Sequence, residues 1–404
     1  MTVTLASSAV LDRARSVAGD LATRAAGYDR DGSFPVESIG ALWDAGLGNL
    51  TLAAEHGGEG ADLLSTSRAV RLVGAADPAT ALIWVMHLIH LKLIAESGFG
   101  FGGEVREAVL ASSLAGPALI NSLRVEPELG TPARGGVPAT RAVLGRGPDG
   151  EPAWLLSGHK IYCTGSSGLR WLLVWAATGS DDPDGVRIGP FLVESTAPGI
   201  EIRETWDHLG MRASASHDVI FTGAPVPLAR AATLEPLGSP TAGLRDPLTV
   251  GWMSVLLSSI YLGVATAARD WLTGYLTERT PTNLGAPLAT LPRFQAAVGG
   301  IEVLHVTSVR LLDGLAAELD AGGALADRAA ADAGLIKVVV SRNVVAICEQ
   351  ALALCGNPGL SYAQPLQRHY RDALCSRIHT PQEDTVLEQA GRLAIDLNRA
   401  TPTN

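Results

Sequence analysis

Apolar residues recur at three- and four-residue spacing through Val10–Ala26 and again through Val36–Gly46, a period that gathers them on one side of a helix. From Ala79 to Ala95 the chain is apolar around most of the helical circumference, which predicts a helix buried on all sides. His87, His90 and Lys92 interrupt that run, so it is expected to fall short of the roughly 20 uncharged residues that a membrane span needs. Residues 1–120 therefore read as an N-terminal α-helical domain. Between 121 and 232 the texture changes to short β-rich runs, Trp154–Leu156, Trp171–Ala176, Gly189–Val193 and His217–Phe221, punctuated by Gly/Pro/Asp/Ser clusters at Gly145–Pro152 and Ser180–Gly185. This is the pattern of a middle β domain, a small sandwich or barrel. After the Pro/Gly-rich linker Leu234–Pro247 the helical period returns in Thr249–Thr277, Leu291–Ala321, Leu325–Leu354 and Thr385–Arg399, giving a C-terminal helical bundle over 233–404. The expected fold is mainly α with a central β domain.

Composition narrows the class of function. The 404 residues are 47% hydrophobic and 18% charged, ample for a large core. A formal net charge of -10 without any Lys/Arg-rich run argues against nucleic acid or an anionic membrane as partner and favours small-molecule chemistry. Charges run throughout the first thirty residues, so no secretion signal is expected. The four cysteines form no CxxC pair, which indicates neither a disulfide framework nor a zinc site and makes the cytoplasm the expected compartment.

Five local patterns carry the chemistry. The first is the turn Glu126-Pro127-Glu128-Leu129-Gly130-Thr131. The second, Leu156-Ser157-Gly158-His159-Lys160-Ile161-Tyr162-Cys163-Thr164-Gly165, sets an aromatic face at Tyr162 beside a hydroxyl at Thr164, which suits a flat heterocycle with a polar edge, although Tyr162 taken alone could equally fill a core. The third is Trp206-Asp207-His208-Leu209-Gly210-Met211-Arg212-Ala213-Ser214-Ala215-Ser216. The fourth, Glu278-Arg279-Thr280-Pro281, offers a guanidinium with the fork geometry that phosphate recognition uses. The fifth runs from Ala353-Leu354-Cys355-Gly356-Asn357-Pro358-Gly359-Leu360 through Arg371-Asp372-Ala373 to Ile378-His379-Thr380, and its glycines allow close backbone approach to a ligand.

In this order, from about residue 30 to 395, the five patterns resemble the acyl-CoA dehydrogenase superfamily of flavoproteins. The resemblance implies an N-terminal helical domain, a β-sandwich or barrel and a C-terminal four-helix bundle, with FAD or FMN bound between the last two. It places Thr131, Tyr162 and Thr164 beside the flavin ring, turns Ser216 toward the cofactor and gives the third pattern an architectural role. It also sends Arg279 to the cofactor pyrophosphate of a neighbouring subunit, brings Gly356 and Gly359 to the cofactor and makes Arg371-Asp372 an internal ion pair fixing the turn. A homodimer or homotetramer follows from the shared site. Val125 stands where a Ser/Thr is common, the turn after Arg279 is about two residues longer and lacks its Phe, and Ala353 replaces a Gln, so FMN and FAD both stay open.

The departure with most chemical weight is a missing base. Dehydrogenases of this family remove an α-proton of an acyl thioester with a glutamate, because so weak a C–H acid needs a dry, close carboxylate. At the aligned position stands Thr380, and at the alternative position on the first long helix of the bundle stands Met253. Glu383 and Asp384 fall on the following turn, where a shifted backbone would be needed for either to serve. Members of the same fold without this glutamate include flavin monooxygenases that take reduced flavin from a separate reductase. In such a member His379 could pass a hydrogen bond or proton to oxygen activated on the flavin, since an imidazole titrates in the useful range, or it could be a histidine without duty. His87 and His90, three residues apart, lack a third ligand for a metal, and are read as either substrate-pocket lining or core, as is Met253 for the pocket. Three functions remain: a reduced-flavin monooxygenase acting on a small organic substrate, an acyl-CoA or acyl-carrier-protein dehydrogenase with a displaced base, and a non-catalytic flavin-binding partner subunit.

Overall fold

Two of the helix starts are set by capping side chains. Asp62 accepts from Ser65 N at 2.7 Å and opens one helix, and Asp246 accepts from Thr249 N at 2.9 Å and opens another with Pro247 in its first turn. In the computed structural model, which describes residues 6–129, 136–180, 182–239 and 246–400, five helices come first: α1 (Ala6–Asp31), α2 (Val36–Asp44), α3 (Leu63–Ala76), α4 (Pro78–Ser97) and α5 (Gly103–Ala115). Helix α4 is the all-round apolar segment. By length and composition it could cross a membrane, contrary to the reading above, but 83% of that window is buried inside the protein, and core packing accounts for its hydrophobicity.

The strands are β1 (Leu119–Leu123), β2 (Arg141–Arg146), β3 (Pro152–Cys163), β4 (Leu169–Thr178), β5 (Arg187–Glu194), β6 (Ile200–Arg203), β7 (His217–Pro227) and β8 (Glu235–Pro236). They form one eight-stranded sheet in the order β6-β7-β3-β2-β4-β5-β8, with β1 parallel to β4. Only two residue pairs, Arg141 with Ala177 and Ala142 with Thr178, join β2 to β4. The sheet folds at this junction, and Trp154 of β3 meets Phe191 of β5 edge-on at 5.7 Å although two strands separate them in the order. That is the sandwich expected from alternating short strands.

Helices α6 (Pro247–Glu278), α7 (Pro292–Ala321) and α8 (Gly323–Cys355) follow, then the short α9 (Asn357–Leu360) and α10 (Leu366–Leu374), and finally α11 (Glu383–Ala400). The two short helices are absent from the sequence reading because α10, Leu-Gln-Arg-His-Tyr-Arg-Asp-Ala-Leu, carries too few apolar positions to show a period. Helix α6 forms the centre of the helical body. It crosses α3 so closely that a Cβ on Gly74 would lie 2.6 Å from Ile260 O and one on Gly263 2.4 Å from Arg71 O; only glycine permits the approach. Ser67 and Ser259 share a 2.8 Å hydrogen bond in the same crossing, and Asp320 of α7 caps α3 by accepting from Leu63 N and Leu64 N. The N-terminal helices and the C-terminal bundle are thereby one packed body, with the sheet set against it.

Candidate functional site

Strand β3 loses register with β7 between Lys160 and Cys163, and the bulge throws Tyr162 into the left-handed region at φ 57°. Its ring is turned out of the sheet and is 54% exposed, so Tyr162 is not core filler. Trp206 and His208 stack on each other at 3.6 Å, and both meet Tyr162 edge-on, at 6.3 and 6.0 Å. Met211 and Ala215, also at positive φ, bracket the turn that carries Ser214. Non-glycine residues in this region cost backbone energy and gather where the surroundings impose a geometry.

Beside the aromatic face runs a line of hydroxyls. Thr164 Oγ1 lies 3.1 Å from Ser216 Oγ, which lies 2.8 Å from Ser214 Oγ. The line is held from behind: Asn121 Nδ2 donates to Thr164 O, Gly165 N to Ser214 O and Ser166 N to Ala215 O. An exposed aromatic ring flanked by hydroxyls that can each donate or accept fits a planar heterocycle with a polar edge. Thr164 and Ser216 thus meet through their hydroxyls, with Tyr162 two residues before Thr164, at the end of β3. Thr131 lies outside the described residues.

The turn leading to Thr131 is anchored by a contact that sequence reasoning missed. Lys160, fully buried, donates to Glu126 Oε1 and to Trp175 O, both at 2.6 Å. Glu126 also accepts from Ala139 N, Thr140 N and Thr140 Oγ1. Burial alone would raise the Glu126 carboxyl, but the Lys160 ammonium and the Thr140 and Ala139 hydrogen bonds hold it below the usual range. Burial lowers Lys160, with Glu126 opposing. Both residues stood in recognised motifs, and a charge in each of two adjacent β-domain motifs was the available signal.

The Arg371-Asp372 pair is not the internal ion pair expected. Arg371 instead binds Asp29 of α1 at 2.6 Å and Leu209 O at 2.7 Å, while Asp372 accepts from Met211 N at 2.7 Å. A Cβ on Gly210 would lie 2.3 Å from Arg371 O, so the third motif and α10 meet backbone to backbone. This clamp joins the N-terminal helices, the β domain and the C-terminal bundle at one point. Burial raises Asp372 to about 7.

His379 follows the clamp. Its Nε2 lies 2.5 Å from the hydroxyl of Tyr261, which is buried on α6 two turns beyond Met253. Burial, and then the charge of Lys337, pulls His379 down to about 3. Both causes disfavour the charged ring and argue against titration in the useful range. Thr380 is exposed and Met253 buried. Glu383 is paired with Arg342 at 2.6 Å.

His87 is fully buried in the core, not on a free surface. Its Nδ1 accepts from Ile120 N, its Nε2 meets Ser113 Oγ, both at 3.3 Å, and burial lowers it to about 3. His90, also buried, holds Met86 O through Nδ1 at 2.7 Å. Arg279 stands exposed just past the end of α6. Gly356 ends α8 at φ 69° with open space where a side chain would be, whereas Gly359 is packed by Leu352, Cys355 and Leu366, a local reason for glycine.

Three family models match in sequence: acyl-CoA dehydrogenase N-terminal domain over residues 6–107, middle domain over 125–224 and C-terminal domain over 255–383. Putative acyl-CoA dehydrogenase YdbM of Bacillus subtilis is 32% identical over 391 residues, 96% of each chain. L-evernosamine nitrososynthase of a Micromonospora species is 30% identical over 385 residues, 92% of this chain and 86% of that protein. Among solved structures, KijD3 in complex with FMN and dTDP-3-amino-2,3,6-trideoxy-4-keto-3-methyl-D-glucose superposes with a TM-score of 0.77 at 26% identity, covering 98% of this chain and 95% of that one. The chain belongs to the acyl-CoA dehydrogenase family, a family of flavoproteins.

Proposed function

We propose that this protein is a monooxygenase that takes reduced FMN or FAD from a separate reductase and hydroxylates a small organic substrate. The observation that carries the reading is the state of the two base positions. Thr380 and Met253 occupy them, and the nearest substitute, Glu383, is engaged by Arg342 at 2.6 Å. A carboxylate held by a guanidinium is a poorer base, which leaves α-proton abstraction without an agent. The likeness to a nitrososynthase and to KijD3, seen in complex with FMN and a dTDP-linked amino-keto sugar, supports the same direction.

When bound, reduced flavin supplies two electrons; one atom of O2 enters the substrate and the other leaves as water. The chain's part is to hold and shield. Tyr162 offers its face to the ring, Thr164 and Ser216 bind the polar edge, and the Glu126–Lys160 pair fixes the turn that leads to Thr131. Arg279, exposed at the end of α6, reaches the cofactor phosphate of a second copy in a homodimer or homotetramer. His379 is the neutral hydrogen-bond donor on the opposite side. Buried free thiols at Cys163, Cys348 and Cys355 suit a reducing cytoplasm.

Turnover with reduced flavin and 18O2 over a panel of aromatic, sulfur-heterocyclic and amino-sugar substrates tests the reading. The expected result is one labelled oxygen in a product. Anaerobic bleaching of bound oxidised flavin by an acyl-CoA, with no label in any product, would overturn it in favour of a dehydrogenase.

A further inference from the structure

Lys337 is a buried lysine, 4% exposed, that makes no hydrogen bond or ion pair among the described residues. An ammonium with so little solvent and no protein partner is unusual, so its place calls for another explanation. The helix that carries it supplies one. Gly334, Lys337 and Ser341 recur at three- and four-residue spacing along α8 and share a face. At one end of that face a Cβ on Gly334 would sit 3.1 Å from Val386 and 3.9 Å from Pro381. At the other, Ser341 Oγ donates to Ser376 O at 3.4 Å. The face is thus pressed along the 376–386 segment, with Lys337 opposite its middle, where His379 lies.

His379 is approached from the other side by Tyr261, 2% exposed, whose ring lies 5.6 Å from the imidazole. Burial raises the Tyr261 hydroxyl well above its ordinary value, so the phenol keeps its proton. No other acceptor meets that hydroxyl among the described residues, and its proton therefore points to His379 Nε2. A neutral imidazole carries one N–H, and with Nε2 accepting, the proton sits on Nδ1. The remaining charged or titratable groups facing this segment are Glu383, turned to Arg342, and Cys375 and Asp372 on the Tyr261 side.

We propose that Lys337 and Tyr261 are positioning residues for His379: the phenol fixes the tautomer with its proton on Nδ1, and the amine's positive charge keeps a second proton off the ring. His379 then serves as a permanent neutral N–H donor and never as an imidazolium acid. Burial lowers Lys337 to about 8, with Glu383 opposing, so the device operates at neutral pH and weakens as Lys337 loses its proton. The inference rests on the reading above only in taking His379 to face the cofactor.

The test needs no turnover. Ring-15N histidine spectra of the full chain, without flavin, separate the two neutral tautomers and the cation, and His379→Asn identifies the signal among nine histidines. The expected result is a neutral Nδ1–H ring from pH 8 down to about 5, with K337M raising the titration midpoint by about one unit or more and K337R leaving it low. Y261F is expected to give a mixture of tautomers. An Nε2–H ring in the wild type, a wild-type midpoint near the ordinary value of about 6.5, or a midpoint that K337M leaves unchanged would each overturn the proposal. If K337M does not fold, the wild-type titration and Y261F still decide. Failure of the oxygenation assay would leave these spectra untouched, so the two readings fail separately.

Discussion

Lys160 Nζ and Glu126 Oε1 meet at 2.6 Å with almost no solvent on either side chain. Each charge is tolerable only because the other is there. Glu126→Ala leaves a buried ammonium and three unanswered donors from Ala139 and Thr140, and is expected to cost about 3–5 kcal/mol. Replacing Lys160 with Met in the same chain should recover part of that loss. Denaturant titration of the single and double variants checks both, and a single-variant cost below about 1 kcal/mol would show the pair to be dispensable.

Tyr162 predicts the reverse separation of stability from binding. Because its ring is largely exposed, Tyr162→Ala should change stability by no more than about 0.5 kcal/mol. Loss of the stacking face should weaken flavin binding roughly tenfold, and Tyr162→Trp should restore it. Fluorescence titration with FMN and FAD measures the effect and at the same time decides which the protein prefers.

The clamp at Arg371 ties three parts of the chain together. Arg371→Met strands the Asp29 carboxylate and the Leu209 carbonyl, at an expected cost of about 2–4 kcal/mol. Since Leu209 lies next to His208 in the aromatic group, flavin affinity should fall as well. Thermal melting and flavin titration of the same variant are the measurements; a stability loss with unchanged affinity would confine the clamp to architecture.

His87 makes a prediction about acid. Its folded value, about 3, lies below its unfolded one, so unfolding takes up a proton between about pH 6.5 and 3, and the stability tied to the neutral ring is lost as pH falls through that window. A variant without the ring, His87→Gln, should show a shallower fall, by up to about 1.4 kcal/mol per pH unit. Denaturant midpoints of both proteins from pH 7 to 4 give the slopes; parallel slopes would mean that His87 is protonated in the folded state.

What could be read in the sequence was whatever leaves a local mark. The long helices and the strands built around Trp154, Trp171 and His217 show in periodicity, and Thr164 and Ser216 show in two motifs whose hydroxyls meet in space. The contacts between distant segments leave no such mark. Arg371 and Asp372 look like a pair because they are adjacent, yet each finds its partner in another part of the chain, at Asp29 and at Met211 N. His379 reads as a titrating histidine only while its burial and the charge of Lys337, forty-odd residues earlier, are unknown. Helix α10 escapes notice because its residues serve the clamp and not a continuous apolar face.

The glycine crossing of α3 and α6 has a mechanical consequence. Two helices whose backbones touch at Gly74 and Gly263 cannot slide or part without prying open a close-packed crossing, which ties the N-terminal helices to the C-terminal bundle. The sheet is set against that body by apolar packing, with Ile83 and Leu88 of α4 in one buried cluster with Leu119 and Val174, and by the polar ties at Asp29, Arg371 and Asp372. Loosening the sheet from the helices therefore means breaching a continuous apolar core as well as those ties.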